Sequence, residues 1–431
     1  MSGEKFNFAA VCAENQIEIN PDILQALEET TATENVTLKL SGNNRLRRVQ
    51  RLDDKDALAL SECLRHVKCV TGLDVGYNNI TDEGVGHLAD LLQDDGSALH
   101  SLDLMFNDIQ TDGAEVLAKS LQGNSTLLCL RLSGNKIENR GAMHLASMLQ
   151  VNNTLKELEV ADCDLATQSV IAFAIVLKSN KTLRSVDISR PLLFSHQEEW
   201  AVHFSEMLAV NCSLVELHLG KMGMTDTGME RLTEGLRLNR SLRYLDLRCN
   251  RVTRDGARHL AQVLKHNPTL EIVDLSSNRI EDDGAAYLSE VIAWPGGALR
   301  ELSVTSNNIK TEGLLSLARA MTANTALTHI YIWGNHLEEP VCQAFRQLIS
   351  SGRLPPEQTD VSPYEVDGQV FLAEVFHSLR RHWYWTNSSG TDTSTTSNTA
   401  TDLLTIRATT SPDSTLPRHA ESQQLLHLQS C

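Results

Sequence analysis

Leu99-His-Ser-Leu102-Asp-Leu104-Met-Phe-Asn107-Asp-Ile109 is followed by Leu127-Leu-Cys-Leu130-Arg-Leu132-Ser-Gly-Asn135-Lys-Ile137, the same apolar register 28 residues later. A spacing of 28 or 29 residues then holds through most of the chain. A constant period of this length marks a solenoid, whose units cannot bury their apolar sides alone and must stack on their neighbours. Around the second and third Leu of each unit, apolar and polar residues alternate, which predicts a short strand. Some residues further on, Gly113-Ala-Glu-Val116-Leu117-Ala-Lys-Ser-Leu121 repeats its apolar positions at helical spacing.

Aligned on the first apolar position, the units start at Asn35, Val70, Leu99, Leu127, Leu155, Leu183, Leu214, Leu242, Leu270, Leu299 and Leu327, eleven in all. The pattern predicts an α/β leucine-rich-repeat solenoid over residues 35–350, with a parallel sheet on the concave face and helices on the convex one. A capping helix is expected within residues 1–34, around Pro21-Asp-Ile-Leu-Gln-Ala-Leu27. Residues 351–385 read as a capping hairpin, because Asp367-Gly368 between alternating runs suits a type I′ turn. Residues 386–431, with 19 Ser or Thr among 46, read as a disordered tail. The helix starts, such as Thr81-Asp-Glu-Gly84 and Thr225-Asp-Thr-Gly228, place acids and hydroxyls where orphan amides need acceptors. The Asn of the register (Asn78, Asn107, Asn135, Asn250, Asn278, Asn307, Asn335) is expected to bond backbone groups of adjoining turns and is scaffold.

Composition narrows the function. The net charge is −17, of which only −2 falls in the tail, so the repeat body is acidic. That disfavours nucleic acid as a direct ligand and favours a basic protein. The nine cysteines are odd in number and include no Cys-x-x-Cys pair, so neither a disulfide framework nor a zinc site is expected. The N-terminus carries no secretory signal and no apolar run is long enough for a membrane span, so a cytoplasmic or nuclear protein is expected, not a secreted one. No Gly-x-x-x-x-Gly-Lys-Ser/Thr, His-Glu-x-x-His or Gly-x-Ser-x-Gly occurs. The expectation is a protein that is not an enzyme and needs no cofactor or metal.

The third, fifth, seventh and eighth register positions are expected to face solvent on the concave side. They carry Asp74, Asp103, Glu157, Glu159, Asp162, Asp187, Glu216, Asp246, Asp274 and Glu301 against Lys39, Arg131, Arg190, Lys221 and Arg248. An acidic concave face should steer a basic partner. Tyr77 and Phe106 join the acids as contact anchors, so the partner-binding set is Asp74, Tyr77, Asp103, Phe106, Glu157, Glu159, Asp187, Glu216, Asp246 and Asp274. Tyr331 lies on the same wall, while Trp333 is expected to pack on the terminal hairpin with Trp383 and Trp385. In mid-chain Cys163, Pro191 and Met222 replace the Asn in three consecutive units. The lengthened one, Ile188-Ser-Arg-Pro-Leu-Leu-Phe194-Ser-His-Gln-Glu-Glu-Trp200, reads as a degenerate repeat filled by Phe194 and Trp200. A basic run from Arg45 to Arg51 is a weak phosphate-contact or nuclear-import signal, with Asp53, Asp54 and Asp56 beside it.

The unit length, the Gly that opens each helix and the Asn-x-Thr-Leu turn resemble the ribonuclease-inhibitor-type family of leucine-rich-repeat proteins. The irregular Ser189–Trp200 stretch and the ending Val366-Asp-Gly-Gln-Val-Phe-Leu-Ala-Glu374 are similar to one intracellular member of it. This resemblance implies an adaptor in the nucleus or nucleolus of stem and germ cells, and implies no catalytic residue. The family also holds ribonuclease inhibitors, which are much richer in Cys, and activators of a nuclear-transport GTPase, which end in a strongly acidic tail. Those two functions stand as the alternatives.

Overall fold

The computed structural model describes residues 7–30, 35–44, 48–65, 67–94, 96–193, 198–377 and 379. Strands β1 (Val36–Lys39), β2 (Val70–Asp74), β3 (Ser101–Asp103), β4 (Cys129–Arg131), β5 (Glu157–Glu159), β6 (Ser185–Asp187), β7 (Glu216–His218), β8 (Tyr244–Asp246), β9 (Ile272–Asp274), β10 (Glu301–Ser303) and β11 (His329–Tyr331) form one sheet in sequence order. Every pairing is parallel, and the only register slip lies between Val36 and Thr37. Helices α1 (Phe8–Glu14) and α2 (Pro21–Glu29) precede it. The strands alternate with α3 (Asp54–Leu64), α4 (Asp82–Gln93), α5 (Thr111–Gly123), α6 (Glu138–Met148), α7 (Thr167–Leu177), α8 (Glu199–Val210), α9 (Asp226–Leu238), α10 (Arg254–Leu264), α11 (Glu281–Ala293), α12 (Thr311–Ala323) and α13 (Glu339–Ser350). Strands lie about 4.8 Å apart and packed helices about 10 Å, so the sheet is the short, concave side of the stack.

The core is the layer between them. Leu102 and Leu104, two residues apart and therefore on one strand face, are fully buried, as are Leu117 and Leu121 from the following helix. The Asn of the register works as expected. Asn107 Nδ2 donates to the carbonyls of Val75 (3.0 Å) and Leu104 (3.1 Å), while its Oδ1 accepts from Ile80 N (3.0 Å). A second Asn row closes the helix C-termini. Asn152, for example, donates to Leu121 O (2.7 Å) and accepts from Thr154 N and Leu155 N (both 2.9 Å). Each residue ties two turns together through backbone groups that would otherwise be buried unpaired.

The acids at the helix starts do something the linear sequence does not reveal. Asp226 sits at the start of α9, yet its Oδ1 accepts from Thr253 N (2.8 Å) and Gly256 N (3.0 Å), at the start of α10. Asp54 serves Thr81 and Gly84 in the same way, and Asp282 serves Lys310 and Gly313. Each carboxylate thus caps the next helix, one unit further along. Gly84 is required for this, since a Cβ there would lie 2.4 Å from Asp54 Oδ1. In the lengthened unit Glu198 takes over the role for Thr225 and Gly228.

That unit keeps its core. Trp200 is buried and meets Phe204 edge to face at 6.2 Å, whereas Phe194 lies outside the described residues. The register Asn lapses where Cys163, Pro191 and Met222 stand, and resumes with Asn250, which accepts from Met224 N (3.0 Å). Cys163 Sγ keeps one of the missing bonds, to Leu132 O at 3.2 Å.

Both ends of the stack are covered. Phe8, Cys12, Ile23 and Leu27 bury themselves at the first edge. Beyond α13, strands β12 (Val361–Val366) and β13 (Gln369–Glu374) form an antiparallel hairpin that turns at Asp367 and Gly368, both at positive φ. Arg353 replaces the next Asn at the end of the second row, its guanidinium donating to the carbonyls of Met321, Asn324 and Leu327 at 2.7–2.8 Å. Asp360 accepts from Ile332 N (2.8 Å) and Trp333 N (2.9 Å), so Trp333 is tied to the segment leading into the hairpin. Residues 45–47, Trp383, Trp385 and the Ser/Thr-rich segment from 386 lie outside the described residues.

Candidate protein-binding face

Strand register decides which side chains share the open face of the sheet. Because the strands pair in register, two columns run across them. One column reads Ser101, Cys129, Glu157, Ser185, Glu216, Tyr244 and Ile272. The other reads Asp103, Arg131, Glu159, Asp187, His218, Asp246 and Asp274. Neighbours in a column are only a strand spacing apart, about 4.8 Å, so long side chains shield one another from water.

That shielding corrects the expectation of a solvated acidic wall. Glu157, Glu159, Glu216, Asp246 and Asp274 are all buried, as are Glu301 and Tyr331. Asp74, Asp103 and Asp187 are half-buried. A carboxylate leaves water only when a cation or donors replace it, and the columns supply these in two clusters. In the first, Arg131 Nε lies 3.2 Å from Glu157 Oε1 and 3.4 Å from Glu159 Oε1, and its Nη1 is 3.6 Å from Asp103 Oδ2. Cys129 lies in the same column as Glu157, and burial, followed by the charge of Glu157, pushes its thiol far up.

The second cluster centres on His218. Its Nδ1 is 3.4 Å from Asp246 Oδ2 and its Nε2 3.5 Å from Glu216 Oε2, with the Tyr244 ring edge-on at 4.9 Å. Burial opposes a charged imidazole, but the Asp246 and Glu216 carboxylates outweigh it and carry His218 up to about 10. Arg248 Nε adds a 3.2 Å contact to Asp246 Oδ2. Asp246 is held low by these cations against its own burial, whereas neighbouring Asp274 is pushed up to about 6 by burial and by Asp246. Sequence reading overlooked His218 and Tyr244. Their signal was position alone, since they occupy the same Leu-flanked strand sites as the acids. Among the described residues no group of His, Cys, Asp and Glu is arranged to hold a metal ion.

The first units look different. Tyr77 and Phe106 stack face to face, with ring centroids 4.7 Å apart and planes 18° from parallel. Both occupy the turn after the strand, which adopts positive φ in ten consecutive units: Tyr77, Phe106, Gly134, Asp162, Arg190, Lys221, Cys249, Ser277, Ser306 and Gly334. The turn geometry therefore demands a left-handed residue whatever its type. Aromatic side chains there cost about 1 kcal/mol each relative to glycine. Gly134 continues the row without a side chain, and a Cβ on it would come within 2.4 Å of Phe106 Cδ1. Phe106 remains 41% exposed. Asp74 and Asp103 flank the residue before this stack, each with Oδ1 3.4 Å from where a Gly76 Cβ would be. Burial raises both carboxyls, Asp103 to about 6, against the lowering effect of their backbone hydrogen bonds.

The sequence-derived set thus separates into three parts. Asp74, Tyr77, Asp103 and Phe106 come together at the accessible start of the sheet. Glu157 and Glu159 are consumed by Arg131. Glu216, Asp246 and Asp274 surround His218 and Arg248, with Asp187 beside them.

The chain is similar to several known proteins. The profile of the Leucine Rich repeat family matches residues 68–89, 98–118, 123–146, 151–174, 238–261, 266–289 and 299–318. Human leucine-rich repeat-containing protein 34 is 47% identical over 411 residues, covering 94% of this chain and 88% of that protein. The rat protein of the same name is 48% identical over 389 residues, covering 89% of this chain and 94% of its own length. A crystal structure of an internalin from Listeria monocytogenes superposes with a TM-score of 0.40 at 17% identity, over 81% of this chain and 97% of that one.

Proposed function

The chain belongs to the leucine-rich-repeat family and, within it, to the group of leucine-rich repeat-containing protein 34; from that premise we propose that it is a non-enzymatic protein-interaction scaffold for a basic partner. The observation that carries this reading is the Tyr77–Phe106 stack, Phe106 exposed and Tyr77 half-buried, beside Asp74 and Asp103. Aromatic anchors next to carboxylates suit a partner surface bearing Arg or Lys, whose cations stack on rings and pair with acids. The central acids keep a supporting role, because their charges are already answered from within.

We place the protein in a reducing compartment, cytoplasm or nucleus. None of the eight cysteines among the described residues is in a disulfide, and no described helix is long and apolar enough to cross a membrane. Residence in the nucleolus and work in stem or germ cells rest on the resemblance alone.

Affinity capture from cell extract, read by mass spectrometry, tests the reading. The wild-type protein is expected to retain basic proteins that are released as salt is raised. A Tyr77→Ala/Phe106→Ala/Asp74→Asn variant is expected to lose them. An unchanged set of captured proteins would overturn the binding face. The non-enzymatic part falls if the protein accelerates hydrolysis by any of a panel of GTP-loaded small GTPases.

A further inference from the structure

The helical side of the repeat unit changes character in mid-stack. Helix α7, Thr167-Gln-Ser-Val-Ile-Ala-Phe-Ala-Ile-Val-Leu177, carries no charge in its 11 residues. Its inner face fills the core, yet its outer face is apolar too, with Ile175 50% exposed and Ile171 half-buried beside it. A helix apolar all round is one whose second face is also covered.

The neighbouring helices show what would cover it. The buried positions Gly141, Ala142 and Leu145 of α6 recur as Ser169, Val170 and Phe173 in α7 and as Trp200, Ala201 and Phe204 in α8. The outer positions therefore align at equal height across the three helices. These rows read Arg140, Gln168, Glu199; then Met143, Ile171, Val202; then Ser147, Ile175, Glu206. Met143 and Val202 are exposed like Ile175. At the height of the apolar row, α5 and α9 present Glu115 and Glu230 instead, so the apolar strip is three helices wide.

We propose that this strip is a self-association surface, on which a second copy of the chain docks about a two-fold axis parallel to α7. That rotation preserves height. It lays α7 on itself and sets α6 of each copy on α8 of the other. Ile171 and Ile175 then meet their own counterparts, and Met143 meets the partner's Val202. The charge pattern selects both the occupant and the axis. Arg140, whose side chain is 73% exposed and only 3.7 Å-paired with Glu115, comes onto the partner's Glu199, and symmetry makes the contact twice. A two-fold axis across the helices would instead lay α8 antiparallel on itself and oppose Glu199 to the partner's Glu206, both acidic. A strip three helices wide lies at the small end of specific interfaces, so the dimer should form in the micromolar range, at about 10 µM.

Sedimentation equilibrium of the full chain from about 1 to about 200 µM tests this. The wild type should pass from monomer to dimer. Ile175→Glu should remain monomeric while keeping the wild-type circular dichroism and melting temperature, which separates lost docking from lost folding. Arg140→Glu should weaken the dimer at least tenfold, and Arg140→Glu/Glu199→Arg should restore it. A wild type monomeric throughout, a dimer indifferent to Ile175→Glu, or a double swap no better than the single one would overturn the proposal.

Discussion

His218 and Asp246 face each other across adjacent strands, Nδ1 to Oδ2 3.4 Å apart, in a part of the sheet that water does not reach. The two residues are 28 positions apart in sequence and meet because β7 and β8 pair in register. Together with Glu216, they make a buried charge cluster that holds the middle of the open face.

Loss of His218 should cost the fold heavily. His218→Ala leaves Asp246 and Glu216 with half their compensation, and uncoupling a buried pair costs on the order of 3 kcal/mol. The pH dependence has a definite sign. The imidazole is raised from 6.5 to about 10 in the folded chain, so its stabilisation is complete below about pH 6.5 and drains away as pH climbs towards 10. Urea unfolding followed by hydrogen exchange in β7 and β8 should show this decline in the wild type and a flat profile over the same window in His218→Ala.

Asp103 should show the same sign in a lower pH window. Its carboxyl is raised to about 6 from 3.8, burial being the main cause, so the ionised form strains the fold at neutral pH. The stabilisation from its proton is complete only below about pH 3.8 and is lost as pH rises through 6. Asp103→Asn keeps an oxygen for Met105 N and should raise stability by about 1 kcal/mol at pH 7.5, while weakening retention of basic proteins. A variant that is less stable than wild type at that pH would contradict the assignment.

Gly134→Ala should damage the aromatic row. The new methyl would sit on the Phe106 ring at a backbone angle of φ +79°, a combined effect of about 2 kcal/mol. On a Phe106→Ala background the steric part disappears, so a thermal-melt double-mutant cycle should show coupling. Additive losses would mean that the ring does not press on Gly134.

Asp226→Ala removes a cap from the helix after its own. About 1–2 kcal/mol of local stability should vanish, and amide exchange should quicken at Thr253 and Gly256, which open α10, more than in the first turn of α9. Faster exchange confined to α9 would mean a cap within its own helix.

Much of the fold was legible because a solenoid makes the same contact again and again. Leu102, Leu104, Asn107 and Gly113 each recur one period later, and a residue that recurs identically must meet an identical environment. The second Asn row, with Asn152 and Asn180, was visible only as a turn motif, since the carbonyls it serves belong to the preceding unit. The site was less legible. Asp74, Tyr77, Asp103 and Phe106 lie where their strand position placed them. Glu159 and Asp246 occupy equivalent positions, yet they are buried.

By itself the sequence determined the stack, because its period dictates strand, turn and helix in every unit and leaves each apolar side only a neighbour to bury against. Tertiary structure alone decided which acids remain available to a partner. Strand position fixes the face towards which a side chain points, but its exposure is set by the height and charge of residues one period away on either side. Where Arg131, His218 and Tyr244 stand among those neighbours, Glu157, Glu159, Glu216 and Asp246 are shielded and paired inside the sheet; Asp74 and Asp103, which pair with each other across β2 and β3, stay half-buried at the start of the column.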